Sequence, residues 1–116
     1  LATRAAALTL VFLGANDASP ARMARAAASA ADLVGPRHVG IGLDFLHDRR
    51  ELDETLAAHP EQFPPELGYG AGMDFMAPER IPEMARELRT LGMSEEETAC
   101  VLGGNWLRIA RQGWKR

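Results

Sequence analysis

Two short, nearly uninterrupted apolar runs flank an alanine-rich helical segment, and this arrangement limits what the chain can fold into more than any other feature. Residues 7–13 carry Leu8, Leu10, Val11, Phe12 and Leu13 almost in succession. That is the pattern of a strand covered on both faces, as in parallel sheets. Gly14 ends it. Ser19 is placed to accept a hydrogen bond from the first turn of a helix, and Pro20 stands where a missing N–H costs nothing. The helix is expected to reach about Val34, with Met23, Ala27, Ala30 and Leu33 or Val34 on one narrow stripe and Arg22, Arg25 and Asp32 off it. Gly35 and Pro36 stop it. HVGIGL (residues 38–43) then reads as a second buried strand, which completes a strand–helix–strand unit with a right-handed crossover. Gly40 and Gly42 alternate with Val39 and Ile41, so something should approach one face of this strand closely.

From residue 45 to residue 78 the sequence predicts mostly loop, with a short helix around residues 50–58 and the Pro/Gly-rich stretch EQFPPELGYGAGMDF. A loop of this length is usually functional or poorly ordered. A helix starting at Pro82 should carry Met84, Leu88 and Leu91 on its apolar side and end at Gly92. Ser94 and Glu97 have the spacing of a capping box for the next helix, expected to end at Gly103 and Gly104. Asn105 is expected to cap a last helix that docks through Trp106, Leu107, Ile109 and Ala110.

A length of 116 residues with 47% hydrophobic content suits one domain spanning residues 1–116. The net charge of -3 and the dispersed basic residues argue against nucleic acid as partner, because phosphate binding needs a concentrated basic face. Cys100 is the single cysteine, so no internal disulfide can form. It is expected to be a small core residue, and the composition suits a reducing compartment, with the cytoplasm as the expected location. The chain begins with Leu1 and not with methionine, which suits an internal start or a processed product. Residues 4–18 also read as a signal peptide, with Arg4 ahead of a short apolar run. That run is far too short to span a bilayer.

Asp44 is the leading candidate for chemistry. An aspartate at the carboxyl end of a parallel strand occupies the position from which barrel and doubly wound enzymes work, since strand ends open into a cleft. The same residue type also caps turns, and the local sequence leaves both readings open. His38, His47 and His59 form no H-x-H or H-E-x-x-H spacing, so the chain carries no complete metal motif. His38 lies at the opposite end of its strand from Asp44 and reads as structural or exposed. His47 is close enough to share the Asp44 cleft but reads as a solvated loop residue, and His59 beside Pro60 as a helix exit. The run Asp48, Arg49, Arg50, Glu51, Asp53 and Glu54 reads as a solvated helix face. Gly40 and Gly42 lie within a strand and not in a strand-to-helix turn, so they make no phosphate cradle. Phe63, Tyr69 and Phe75 would line a substrate mouth or, more commonly for such residues, pin the loop to the body.

LVGPRHVGIGLDF (residues 33–45) and LGGNWLRIARQGWK (residues 102–115) resemble the renal or membrane dipeptidase family, in particular its bacterial members. FLGANDAS (residues 12–19), ELDETLAAHPEQFPPELGYG (residues 51–70) and the Pro-Glu-hinged helix leading into LGMSEEE (residues 91–97) resemble the same family in the same order. The resemblance therefore covers nearly the whole chain; only the start, LATRAAALT, departs from the family's glycine-rich entry. It implies an α/β fold, the C-terminal portion of a (β/α)8 TIM-type barrel comprising its last two strands, followed by C-terminal helices. It also implies hydrolysis of dipeptides by water activated between two zinc ions, and mammalian members also open β-lactam rings. Asp44 would be the acid/base residue. The zinc ligands, the oxyanion-stabilising histidine and the carboxylate-gripping arginine belong to earlier strands and match nothing in this chain, so it is expected to supply no metal ligand. Two strands cannot close a barrel and would expose unpaired edges, so the isolated chain is expected to be inactive and marginally stable or to self-associate. The other reading is a small noncatalytic α/β module whose terminal helices bind a protein partner.

Overall fold

The computed structural model describes residues 18–70 and 73–114 in full and the main chain of residues 8–10. These residues are mostly helical. Strand is confined to β1 (Leu8–Leu10) and β2 (Val39–Ile41), which run parallel with Leu8 opposite Val39 and Leu10 opposite Ile41. No larger sheet and no barrel forms among the described residues. The α/β expectation is thus met only as a three-residue pairing beside a helical body. The remainder of the first expected strand, the glycine after it and the apolar run of a leader lie outside the described residues.

The first helix, α1 (Pro20–Val34), begins where the residues dictate: the Ser19 hydroxyl accepts from the Arg22 amide, and Pro20 occupies the first turn. Its buried face is Met23, Ala24, Ala27 and Ala31, a stripe with small side chains that lets a neighbouring helix approach closely. This corrects the expected stripe at its end, for Leu33 is 86% exposed and Val34 50%. Gly35, at φ 90°, turns the chain out of the helix, and a single 3-10 turn (Pro36–His38) takes up what the sequence reads as the start of the strand. Proline at the head of that turn lacks a ladder donor, so pairing starts only at Val39.

The second helix, α2 (Arg49–Ala58), is capped by Asp48, whose carboxylate accepts from the Glu51 amide. The third, α3 (Ile81–Thr90), buries Met84 and Leu88, while Leu91 is 48% exposed and not part of the apolar side. Gly92 follows at φ 97°, the left-handed conformation that a helix exit requires. The fourth, α4 (Glu95–Ala99), starts on the Ser94 hydroxyl, which accepts from the Glu97 amide. Its regular path breaks where expected, at a kink on Gly103 (φ 179°, ψ -26°) in the wide turn Cys100–Gly104, and the last helix, α5 (Asn105–Gly113), follows directly. Counting that kinked run as one rod, four helical rods make up the described residues.

All five methionines of the chain are buried, and four of them (Met23, Met76, Met84, Met93) join Ala24, Ala27, Val39, Leu88 and Val101 in one core. Unbranched thioether side chains fill the uneven gaps between an alanine-faced helix and irregular segments. Cys100 is only half buried. No helix among the described residues is long and apolar enough to cross a membrane.

Candidate functional site

The strand β2 is held from one side by side chains of α5. Asn105 is fully buried, and its amide nitrogen donates to the carbonyl oxygens of Pro36 at 2.7 Å and Val39 at 2.8 Å. Its Oδ1 accepts from Arg108 Nη1 at 2.7 Å, and Arg108 Nη2 donates to the Arg37 carbonyl at 2.7 Å. Trp106 Nε1 donates to the Ile41 carbonyl at 3.2 Å. Carbonyls two residues apart in a strand point to the same side, so Val39 and Ile41 present their acceptors together to α5. The sequence reading makes Asn105 a helix cap. The structure places it inside the helix, with its polar atoms spent on residues 66 and 69 positions away. Docking of α5 accordingly rests on Asn105 and Trp106, while Leu107 is 52% exposed.

Gly40 shows why this strand needs a glycine. A Cβ built there would lie 2.5 Å from Trp106 Nε1 and 2.8 Å from Cε2, inside the distance that atoms tolerate. The close approach inferred from the alternating glycines is therefore made by the Trp106 indole.

Asp44 stands three residues beyond the end of β2, exposed to solvent, with φ 50°. It is the non-glycine residue with positive φ among the described residues, and aspartate is one of the few types that enter this region. Its carboxylate makes no hydrogen bond to the described residues; the aspartate that caps the next helix is Asp48. Phe45 and His47 follow in an edge-to-face contact, ring centroids 5.1 Å apart. His38 is half buried at the far end of the strand, and His59 lies 3.8 Å from Glu61 at the exit of α2. The structure does not bring the three histidines together.

The mixed-charge run is solvated as expected, with Arg49 paired to Asp53 at 3.0 Å and Arg50 to Glu54 at 3.9 Å. Arg49 has a second role that its place in a charge run concealed. Its guanidinium also donates to the carbonyls of Met73 at 2.7 Å and Gly70 at 3.2 Å, which ties the Pro/Gly-rich segment to the start of α2. Phe63 and Tyr69, both within this segment, meet with rings 5.3 Å apart and line a groove of about 430 Å³ together with Leu56, Ala57 and Pro65.

No family model, curated protein or solved structure matches this chain. The arrangement offers an exposed carboxylate at a strand exit, a strand clamped by α5, and a loop latched to the start of α2. Among the described residues no three His, Cys, Asp or Glu side chains gather to hold a metal ion.

Proposed function

We propose that this chain is the C-terminal part of a metal-dependent dipeptidase, with Asp44 as the residue that handles protons during hydrolysis. The reading is supported by the ordered resemblance to the renal or membrane dipeptidase family. The observation that carries it is the place of Asp44 within LVGPRHVGIGLDF: an exposed carboxylate beyond the carboxyl end of a strand that pairs in parallel. In this role Asp44 would take a proton from the attacking water and return it to the departing amine, the double duty of an acid/base carboxylate.

The described residues do not fit the pair of zinc ions that such an enzyme uses, because they supply no cluster of ligands. The ligands are therefore assigned to the preceding barrel strands, and the chemistry attributed to this chain is proton transfer at Asp44 alone. Within this reading the chain is the last portion of an α/β barrel, its substrate is a dipeptide, and it works in the cytoplasm.

The test compares this chain with the full-length protein that carries it. The isolated chain should retain no stoichiometric zinc after dialysis and hydrolyse no dipeptide, whereas the full-length protein should retain zinc and hydrolyse dipeptides. In the latter, Asp44→Asn should lower kcat by at least about a hundredfold while zinc content stays unchanged. Turnover by the isolated chain would overturn the reading, and loss of zinc with the substitution would reassign Asp44 to ligation. A noncatalytic module that binds a protein partner through its terminal helices is the second reading, favoured by the exposure of Trp114 (83%) and Leu107 (52%). It requires that no form of the protein cleaves dipeptides.

A further inference from the structure

We infer that Trp106 is a positioning residue for Asp44, holding the exit of β2 so that the carboxylate stands where the reaction needs it. The inference rests on the dipeptidase reading of Asp44 and assigns a role to a residue outside the reacting group.

Asp44 adopts a left-handed conformation that aspartate tolerates but does not prefer, so what holds the chain on either side decides where its carboxylate stands. Its carboxylate takes no part in that, having no hydrogen bond to the described residues. The ladder takes no part beyond Ile41, where β2 ends. What remains on the upstream side is the hold of α5. Asn105 and Arg108 fix the beginning of the segment, at Pro36, Arg37 and Val39. Trp106 fixes its end: the indole covers Gly40 and Nε1 donates to the Ile41 carbonyl, the last side-chain anchor on the main chain before Asp44 among the described residues. Between them, Leu43 is half buried against the core. Release of the Ile41 carbonyl would free residues 42–44 to turn about the strand end, and a displacement of about 1 Å at a reacting group can cost up to a hundredfold in rate.

Trp106→Phe separates this role from folding, since an aromatic ring is kept over Gly40 while the N–H is lost together with the outer part of the indole, which is 40% exposed in the wild type. Two readings are taken on the full-length protein: dipeptide kinetics, and amide hydrogen exchange of the peptide covering residues 40–47. Exchange should quicken about fivefold, the equivalent of one modest hydrogen bond. The kcat should fall between about tenfold and a hundredfold with KM held within about twofold and zinc content unchanged. Unchanged exchange overturns the inference, and so does faster exchange with unchanged kcat. A wild-type protein that hydrolyses no dipeptide overturns the dipeptidase reading instead, while the exchange result still decides whether Trp106 holds the segment. Should Trp106→Phe fail to fold, Gly40→Ala displaces the same indole and must produce the same loss in kcat; an equal rise in KM would overturn the assignment.

Discussion

The Trp106 indole rests on the main chain of Gly40 so closely that a methyl group at that position would fall 2.5 Å from Nε1. Helix α5 and strand β2 are therefore fitted to each other through an absent side chain, at a sequence separation of 65 residues between Trp106 and its acceptor Ile41. Trp106 is 40% exposed, so its ring can be pushed aside, at the expense of the Ile41 bond. Gly40→Ala should accordingly destabilise the chain by about 1–3 kcal/mol, the range for overpacking a fitted contact. In a Trp106→Ala background the same change should cost close to nothing. A double-mutant cycle in urea checks this, and additive effects would show that the two residues do not share a contact.

Asn105 is the opposite case, a side chain with no room to move. It is fully buried, and both its donor group and its carbonyl oxygen are engaged. Asn105→Ala would leave the Pro36 and Val39 carbonyls without their donor and should cost about 1–3 kcal/mol, read as a lowered urea midpoint with unchanged slope. Asn105→Asp keeps the volume but sets carboxylate oxygen against carbonyl oxygen, so it should destabilise more than alanine does. If aspartate were tolerated as well as asparagine, the bonds to residues 36 and 39 would not be those that hold the strand.

These two residues also mark where reading a sequence stops. Features decided within a few residues are legible: Ser19 and Ser94 as helix starts, Gly35 and Gly92 as exits, the charge run after Asp48 as a solvated face. Each depends on a local backbone requirement that one residue type meets. Leu33 and Leu91 depart from expectation because periodicity identifies a stripe but not where the partner element ends. Asn105 reads as a cap because asparagine favours that position locally, whereas its partners lie far upstream in the chain. The strand expected at residues 38–43 shortens to Val39–Ile41; it loses His38 to a 3-10 turn that Pro36 starts and the apolar run does not disclose, and it ends at Ile41 before Gly42 and Leu43. The close approach at Gly40 can be inferred, but its agent cannot. Asp44 stands out by its position alone; its left-handed backbone has no signature in the neighbouring residues.

Glu83 provides a check on electrostatics. Its carboxyl is held below the ordinary value of 4.5, chiefly by the hydrogen bond from Arg80, which outweighs the opposing effect of desolvation and is aided by the charges of Arg80 and Arg86. The folded-state pKa is thus lower than the unfolded one. The stabilisation is complete above about pH 4.5 and is lost as pH falls through the lowered native value. The Arg80 and Glu83 side chains are about half exposed, at 49% and 46%, so the contribution should be small and weakened by salt. An NMR titration of the Glu83 carboxyl carbon should show it titrating below its ordinary value, and Arg80→Met should return it most of the way. No movement on substitution would mean that the 3.1 Å contact is not populated in solution.

The conformation of Asp44 separates what this position does for the fold from what it does for chemistry. At φ 50° glycine is free of steric cost, asparagine and aspartate tolerate the region, and alanine does not. For the isolated chain the order of stability should be Gly and Asn at or above Asp, with Asp44→Ala lower than Asp44→Gly by about 1 kcal/mol, measured by urea denaturation. A residue retained only for its turn would show the same order in every property. In the full-length protein, by contrast, Asp44→Gly and Asp44→Asn should both abolish dipeptide turnover, because neither can exchange a proton at that place. Substitutions that leave the fold as stable as before, or more so, and still remove activity are expected where a carboxylate is kept for catalysis in a position the backbone would yield to glycine. Full activity in Asp44→Asn would return this residue to the turn.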